Sequence, residues 1–296
     1  MNIPIPFQSG ILAPIPAHGR VVAFDAIPGA DIRKVLHALT VLPLDGRYVV
    51  GLGSGLVRGI SQGLPDLRPF PAMAGPGCSI PSTQSDLWCW VRGEDRGSVL
   101  HHVRFFFAMV KDAFYPVRSV DLFKHDRGLD LTGYEDGTEN PEDDAALSAA
   151  IVMEAGPGMN GSSYVATQQW RHDLTRFESF TQETQDHIIG RRLADNGEIE
   201  DAPESAHVKR TAQESFSPEA FVVRRSMPWA DATGEGLVFI AFGRSLDPYE
   251  AQLRRMTGQE DGIIDGLFRF TKPVTGGYFW CPPTGSTGLD LTIFGL

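Results

Sequence analysis

The same succession of elements occurs twice in this chain, and that repeat restricts the possible folds more than any single motif does. From about residue 20, RVVAFDAI is β-branched and aromatic enough to predict a strand. ADIRKVLHALTVL then places Ile32, Val35, Leu36 and Leu39 on one helical face. RYVVGLGSG and DLWCWVR predict two further strands on either side of a Gly/Pro-rich stretch at 62–85. SVLHHVRFFFAMVKDAF predicts an amphipathic helix whose buried stripe is Leu100, Val103, Phe107, Val110 and Phe114, and PVRSVDLF predicts a closing strand. The second half runs in parallel. SSYVATQQW is a strand, DLTRFESFTQETQDHIIGRR is helical in two pieces, AFVVRRSM and GLVFIAFGRS are strands, DPYEAQLRRM is a helix and GGYFWCP a last strand. Asp247 is expected to cap that last helix, with Pro248 at its first position and Glu250 three residues after the cap. Each half therefore reads β-α-β-β-α-β, the ferredoxin-like unit. The expected fold class is α+β, with two antiparallel sheets, each packed by helices on one face, and with domains at 1–130 and 131–296.

Charge and composition narrow the partners. The net charge is −11, a poor basis for gripping nucleic acid or anionic lipid, and it sets up a field that favours cationic over anionic small molecules. The three cysteines, Cys78, Cys89 and Cys281, have no C-x-x-C spacing, so free buried thiols in a reducing compartment are expected. The N-terminal stretch MNIPIPFQSGILAPIPAHGR has no basic n-region and is broken by prolines, and no apolar run is long enough to cross a membrane. The expected address is the cytoplasm.

Two stretches fall outside the repeat, 126–161 and 191–219, and long irregular segments of this kind are where function concentrates. The first contains GYEDGTENP, whose glycines permit positive φ and can aim Asp136 into a cavity; taken alone, it reads as a solvated acidic turn, since such turns are common. The second contains His207, either a surface histidine or a metal or haem ligand. On AFVVRRSM, Arg224 and Ser226 are two apart and share a strand face, where the arginine meets an anion or forms an ion pair. Phe239 and Asp265, taken singly, are a core aromatic and a helix carboxylate, and His172 is a packing or cap residue. GLGSGL at 51–56 has closely spaced glycines, but the next clear helix is expected far downstream, so a dinucleotide loop is not supported.

In combination, GYEDGTENP, the histidine of SAHVKR, RRSMPW and the series GLVFIAF, DPYEAQLRRM and RFTKPVTGGYFW resemble the dye-decolorizing peroxidase family, in its compact bacterial cytoplasmic subgroup. The resemblance covers about residues 125–281; the N-terminal half matches mainly in its order of elements. It implies a fold of the dimeric α+β barrel superfamily and one haem b per chain, with His207 as the axial iron ligand and Asp265 as the carboxylate behind it. It also implies that Asp136 and Arg224 act on the distal side, with Ser226 beside them, Phe239 as a wall and Glu139 near a haem propionate. The implied activity is oxidation of organic donors, dyes and phenolics, by hydrogen peroxide, in one-electron steps through a ferryl intermediate. A haem-binding or iron-handling protein with incidental peroxidase activity is the alternative. Electrons from bulky donors are expected to travel through surface tyrosines or tryptophans, with Trp88, Trp90, Trp170, Trp229 and Trp280 as candidates. A homo-oligomer is expected, and docking into an encapsulating shell is not.

Overall fold

A computed structural model describes residues 5–64 and 66–296. The first half gives β1 (His18–Ala26), α1 (Ile32–Leu39), β2 (Tyr48–Gly53), α2 (Ser54–Ile60), a small hairpin of β3 (Met73–Gly75) and β4 (Cys78–Ile80), then β5 (Leu87–Gly93), α3 (Arg96–Val110) and β6 (Phe114–Phe123). After α4 (Asp143–Ala150), the second half gives β7 (Ser163–His172), α5 (Leu174–Glu178), α6 (Gln182–Ile189), α7 (His207–Arg210), β8 (Val223–Arg224), β9 (Met227–Asp231), β10 (Gly234–Gly243), α8 (Asp247–Met256), β11 (Thr271–Pro273) and β12 (Gly277–Cys281). The duplicated α+β architecture is as the sequence predicts.

The large sheet runs β6-β1-β5-β2-β12-β7-β10-β8, with β11 on β7 and β9 on β10. Its two halves have the same internal order, and every pairing is antiparallel. They join at Phe279↔Gly53 and Trp280↔Leu52, so the two units share one continuous ladder. Gln8 reinforces this seam. Its buried amide accepts from Val50 N at 2.8 Å and donates to the carbonyls of Val50 and Pro282 at 2.9 and 3.0 Å.

The period of two along each strand sorts side chains into two cores. Val22, Val50, Cys89, Tyr278 and Trp280 face the helices. Their chain neighbours Val21, Val49, Trp90, Phe279 and Cys281 face the other way, with Met227 and Trp229, into a second core. The sheet curls around that core until β6 lies alongside β9.

Four local expectations are corrected. In α3 the buried positions are Val99, Phe106 and Val110, while Leu100 and Phe107 are exposed, and Phe114 already belongs to β6. The helix is apolar on several sides, so spacing alone admits two stripes; contact with the sheet selects the one through Val99. Asp247 does not cap α8. The cap position is Leu246, and Asp247 and Glu250 instead flank the Arg68 guanidinium, at 2.7 and 2.8 Å. A helix, α2, begins within GLGSGL at Ser54, yet β2 lies in antiparallel pairings, unlike the parallel strand that opens a dinucleotide site. Gly53 is required for another reason: a Cβ there would lie 2.2 Å from the Ser85 carbonyl oxygen. The five tryptophans are all buried, so none is a surface residue; their strands face inward on both sides. All three cysteines are free, with Cys89 and Cys281 buried and Cys78 half-buried.

Candidate functional site

A cavity opens on the helix-packed face of the second unit, with about 880 Å³ of space not filled by atoms, counted to its open mouth. His207, Asp136, Arg224 and Phe239 all line it, drawn from four separate stretches of sequence.

His207 opens the four-residue helix α7, which has little stability of its own. Its neighbour Arg210 holds the helix in place. The buried guanidinium donates to both Asp261 oxygens and to the Arg255 carbonyl, each at 2.7 Å. Gly266 donates its N–H to Ser205 O at 2.7 Å, and a Cβ there would press on the carbonyls of Ile188 and Ser205. This close approach of two loops puts Asp265 behind His207. Asp265 is fully buried; its Oδ1 accepts from Leu267 N and its Oδ2 lies 2.8 Å from His207 Nδ1. A carboxylate only accepts, so the imidazole proton sits on Nδ1 and the lone pair of Nε2 is left free.

The loop of GYEDGTENP is fastened to β8 by Asn140, a residue that no motif singled out. Its side chain accepts from Arg224 N at 2.7 Å and donates to Arg224 O at 3.0 Å. Positive φ at Gly133 and Gly137 lets the loop turn tightly around this anchor. Asp136 Oδ1 then lies 3.9 Å from Arg224 Nη1, both side chains mostly buried. Arg224 Nε is buried with no protein partner among the described residues.

The strand AFVVRRSM is not continuous. It breaks after Arg224, and β9 begins at Met227. Arg225 turns away to donate to the carbonyls of Leu12 and Ala13. Ser226 is buried, does not line the cavity, and its hydroxyl has no partner among the described residues. Glu139 lies outside the lining too, mostly exposed and paired with Arg191.

Sequence reading gave His172 no chemistry, yet it lines the cavity with Asp130. His172 Nε2 is 3.0 Å from Asp130 Oδ1, and its Nδ1 is 2.6 Å from Thr271 Oγ1. Burial works to raise the Asp130 pKa, but the hydrogen bond and charge of His172 and the two donors of Thr132 outweigh it and hold the carboxyl below its ordinary value. A depressed carboxyl contributes stability above its unfolded pKa, about 3.9, and loses it as pH falls through the lower folded value. Asp130→Ala, which strands these donors, is expected to cost about 2–3 kcal/mol at pH 7. The deficit closes only below about pH 4. Denaturant unfolding of both proteins at pH 7 and in acid checks this; equal stability at pH 7 contradicts it.

The residues fit a haem better than a bare metal ion. Among the described residues, no group of three or more His, Cys, Asp or Glu side chains could hold an ion, whereas one imidazole with a fixed tautomer facing a roomy cavity suits a single axial bond. Two buried donors without protein partners among the described residues, Arg224 Nε and Gln168 Nε2, belong to side chains that line the same space.

Comparison with known proteins agrees with this reading. Residues 127–286, more than half of the chain, match the family model described as Dyp-type peroxidase, C-terminal. Among curated proteins, a dye-decolorizing peroxidase of Mycobacterium tuberculosis is 32% identical over 73% of this chain and 67% of its own length. One from Rhodococcus erythropolis is 31% identical over 79% of this chain and 71% of its own length. Among solved structures, a dye-decolorizing protein from Vibrio cholerae superposes with a TM-score of 0.84 at 27% identity, covering 93% of this chain and 96% of that one. A DypB variant from Rhodococcus jostii in complex with haem gives 0.85 at 26% identity, covering 92% and 95%.

Proposed function

The chain belongs to the Dyp-type peroxidase family, and from that premise we propose that it is a haem b peroxidase in which His207 holds the iron and Asp136 and Arg224 handle the peroxide. The arrangement that supports this best is His207, its tautomer fixed by buried Asp265, in one cavity with the Asp136–Arg224 pair.

Bound haem supplies a redox centre that accepts oxidising equivalents from hydrogen peroxide and passes them to organic donors one electron at a time. The protein's residues prepare and protect that exchange. His207 would hold the iron through Nε2, and Asp265, accepting from Nδ1–H, would make the imidazole a stronger electron donor. Asp136 would take a proton from one oxygen of hydrogen peroxide and return it to the other. Arg224 stabilises the negative charge that builds as the O–O bond lengthens, and Asn140 keeps its backbone in register with the Asp136 loop. Phe239, 5.6 Å from Tyr249 between ring centroids, gives the cavity an apolar wall. Ser226 and Glu139, which do not line the cavity, would act only from its margin.

No helix among the described residues is long and apolar enough to cross a membrane. A cytoplasmic location, supported by the free thiols, and division of the chain at 130/131 belong to the same proposal. The exposed Leu100, Phe105 and Phe107 of α3 support a homo-oligomer. Leu289, Leu291 and Phe294 are buried against the rest of the chain.

The test is direct. Protein purified with haem supply is expected to show a Soret band and to oxidise guaiacol only when peroxide is added. Haem-replete protein with no peroxide-dependent oxidation would contradict the reading.

A further inference from the structure

A second cleft adjoins the haem cavity and shares His172, Phe270 and Thr271 with it. Its rim carries Arg171, Arg176, Arg269 and Lys272 against two carboxylates, Asp173 and Glu235. Among the described residues, none of the four cations makes an ion pair or a side-chain hydrogen bond; Arg269 only stacks on Phe180, 4.6 Å from its ring centroid. Unpaired arginines occur elsewhere in the chain; what sets this cleft apart is that four unpaired cations share one rim in a chain of net charge −11.

The placement carries a cost. Lys272 and Arg171 sit directly opposite each other on β11 and β7, and like charges in that register repel. The Arg171 stem lies where a Cβ on Gly234 would reach, 2.9 Å from its Cδ, so a glycine makes room for it. Stability gives no reason to gather uncompensated cations here; attraction of an anion does.

We propose that this cleft is where anionic aromatic donors dock for oxidation, with His172 and Phe270 as the wall their electrons cross. The rings of those two residues stand 5.7 Å apart, and both also face the haem cavity. A docked phenol gives up one electron across the wall and its phenolic proton to solvent, becoming a phenoxyl radical. Two such donors supply the two electrons and two protons that convert one hydrogen peroxide into two waters. The overall negative field would disfavour these donors, and the local cations reverse that preference at short range. The proposal rests on the peroxidase reading above.

Ferulate and its methyl ester share one phenol and differ by a carboxylate, so they separate docking from chemistry. In the double variant Arg171→Gln/Lys272→Gln, kcat/KM for ferulate is expected to fall by roughly tenfold and that for the ester by less than about twofold. Both residues are exposed and their removal relieves repulsion, so folding is retained. A control, Arg104→Gln/Lys111→Gln, removes the same charge from an exposed region elsewhere and is expected to leave both donors unchanged. Equilibrium dialysis of ferulate against the protein without peroxide reads docking apart from turnover: binding is expected to weaken roughly tenfold in the Arg171→Gln/Lys272→Gln variant and to weaken with added salt, and unchanged binding would overturn the proposal. Equal losses for both donors, an unchanged rate with ferulate, or the same loss in the control would overturn the proposal. Failure of the peroxidase reading looks different: wild type would oxidise neither donor.

Discussion

Arg224→Leu is expected to slow the reaction of haem-loaded protein with hydrogen peroxide by about 10²–10³-fold while leaving haem bound. The guanidinium lies in the cavity, 3.9 Å from Asp136, with a buried Nε that has no protein partner among the described residues. A cation fixed in the cavity stabilises developing negative charge without the reorganisation that water would need. Asp136→Ala is expected to cost about 10²–10⁴-fold, the usual loss for a positioned proton-transfer group. The two side chains act on one bond cleavage, so the double variant is expected to lose far less than the product of the single losses. Stopped-flow mixing with peroxide, followed in the Soret region, measures all three. Wild-type rates in both single variants would show that neither group takes part.

The strands and their order were legible because each is a short apolar or alternating run bounded by glycine, proline or charge, as in RVVAFDAI and GGYFWCP. The seam between β2 and β12 was not, since pairing of Leu52 with Trp280 leaves no local trace. The face of α3 was misread because Leu100 and Phe107 compete with Val99 and Phe106 for the same periodicity. Asp247 followed the rule for a cap, but a tertiary partner, Arg68, fixed it otherwise.

The site shows the same division. Four of its residues stand out only in combination with distant blocks, and the cavity does bring His207, Asp136, Arg224 and Phe239 together. Asn140 was within reach of sequence reading: an Asn after a Gly-rich acidic turn can hydrogen-bond backbone, though not visibly that of Arg224. Asp130 and His172 lie 42 residues apart with no motif between them, and only the fold joins them. The cationic cleft was hidden for a related reason: net charge averages over the chain, while Arg171 and Lys272 meet across a strand pairing.

The second large effect concerns the iron. Asp265→Asn keeps the size of the side chain and can still accept from Leu267 N. Its amide, however, can present a donor to His207 Nδ1, which moves the imidazole proton to Nε2 and blocks the lone pair that binds iron. Loss of such a supporting partner typically weakens a metal site by about 10–100-fold. Removing the ligand itself costs more. His207→Ala leaves the cavity but deletes its one well-placed imidazole, and free imidazole is expected to restore part of the binding.

The measurement that decides is a haem titration of wild type, Asp265→Asn and His207→Ala, followed by the Soret band and by the fraction of haem retained after gel filtration. The expected result is full, one-to-one loading of wild type, weakened loading of Asp265→Asn, and a shifted Soret band with loss of retained haem in His207→Ala. An unchanged spectrum and full occupancy in His207→Ala would contradict His207 as the iron ligand and the peroxidase site built around it.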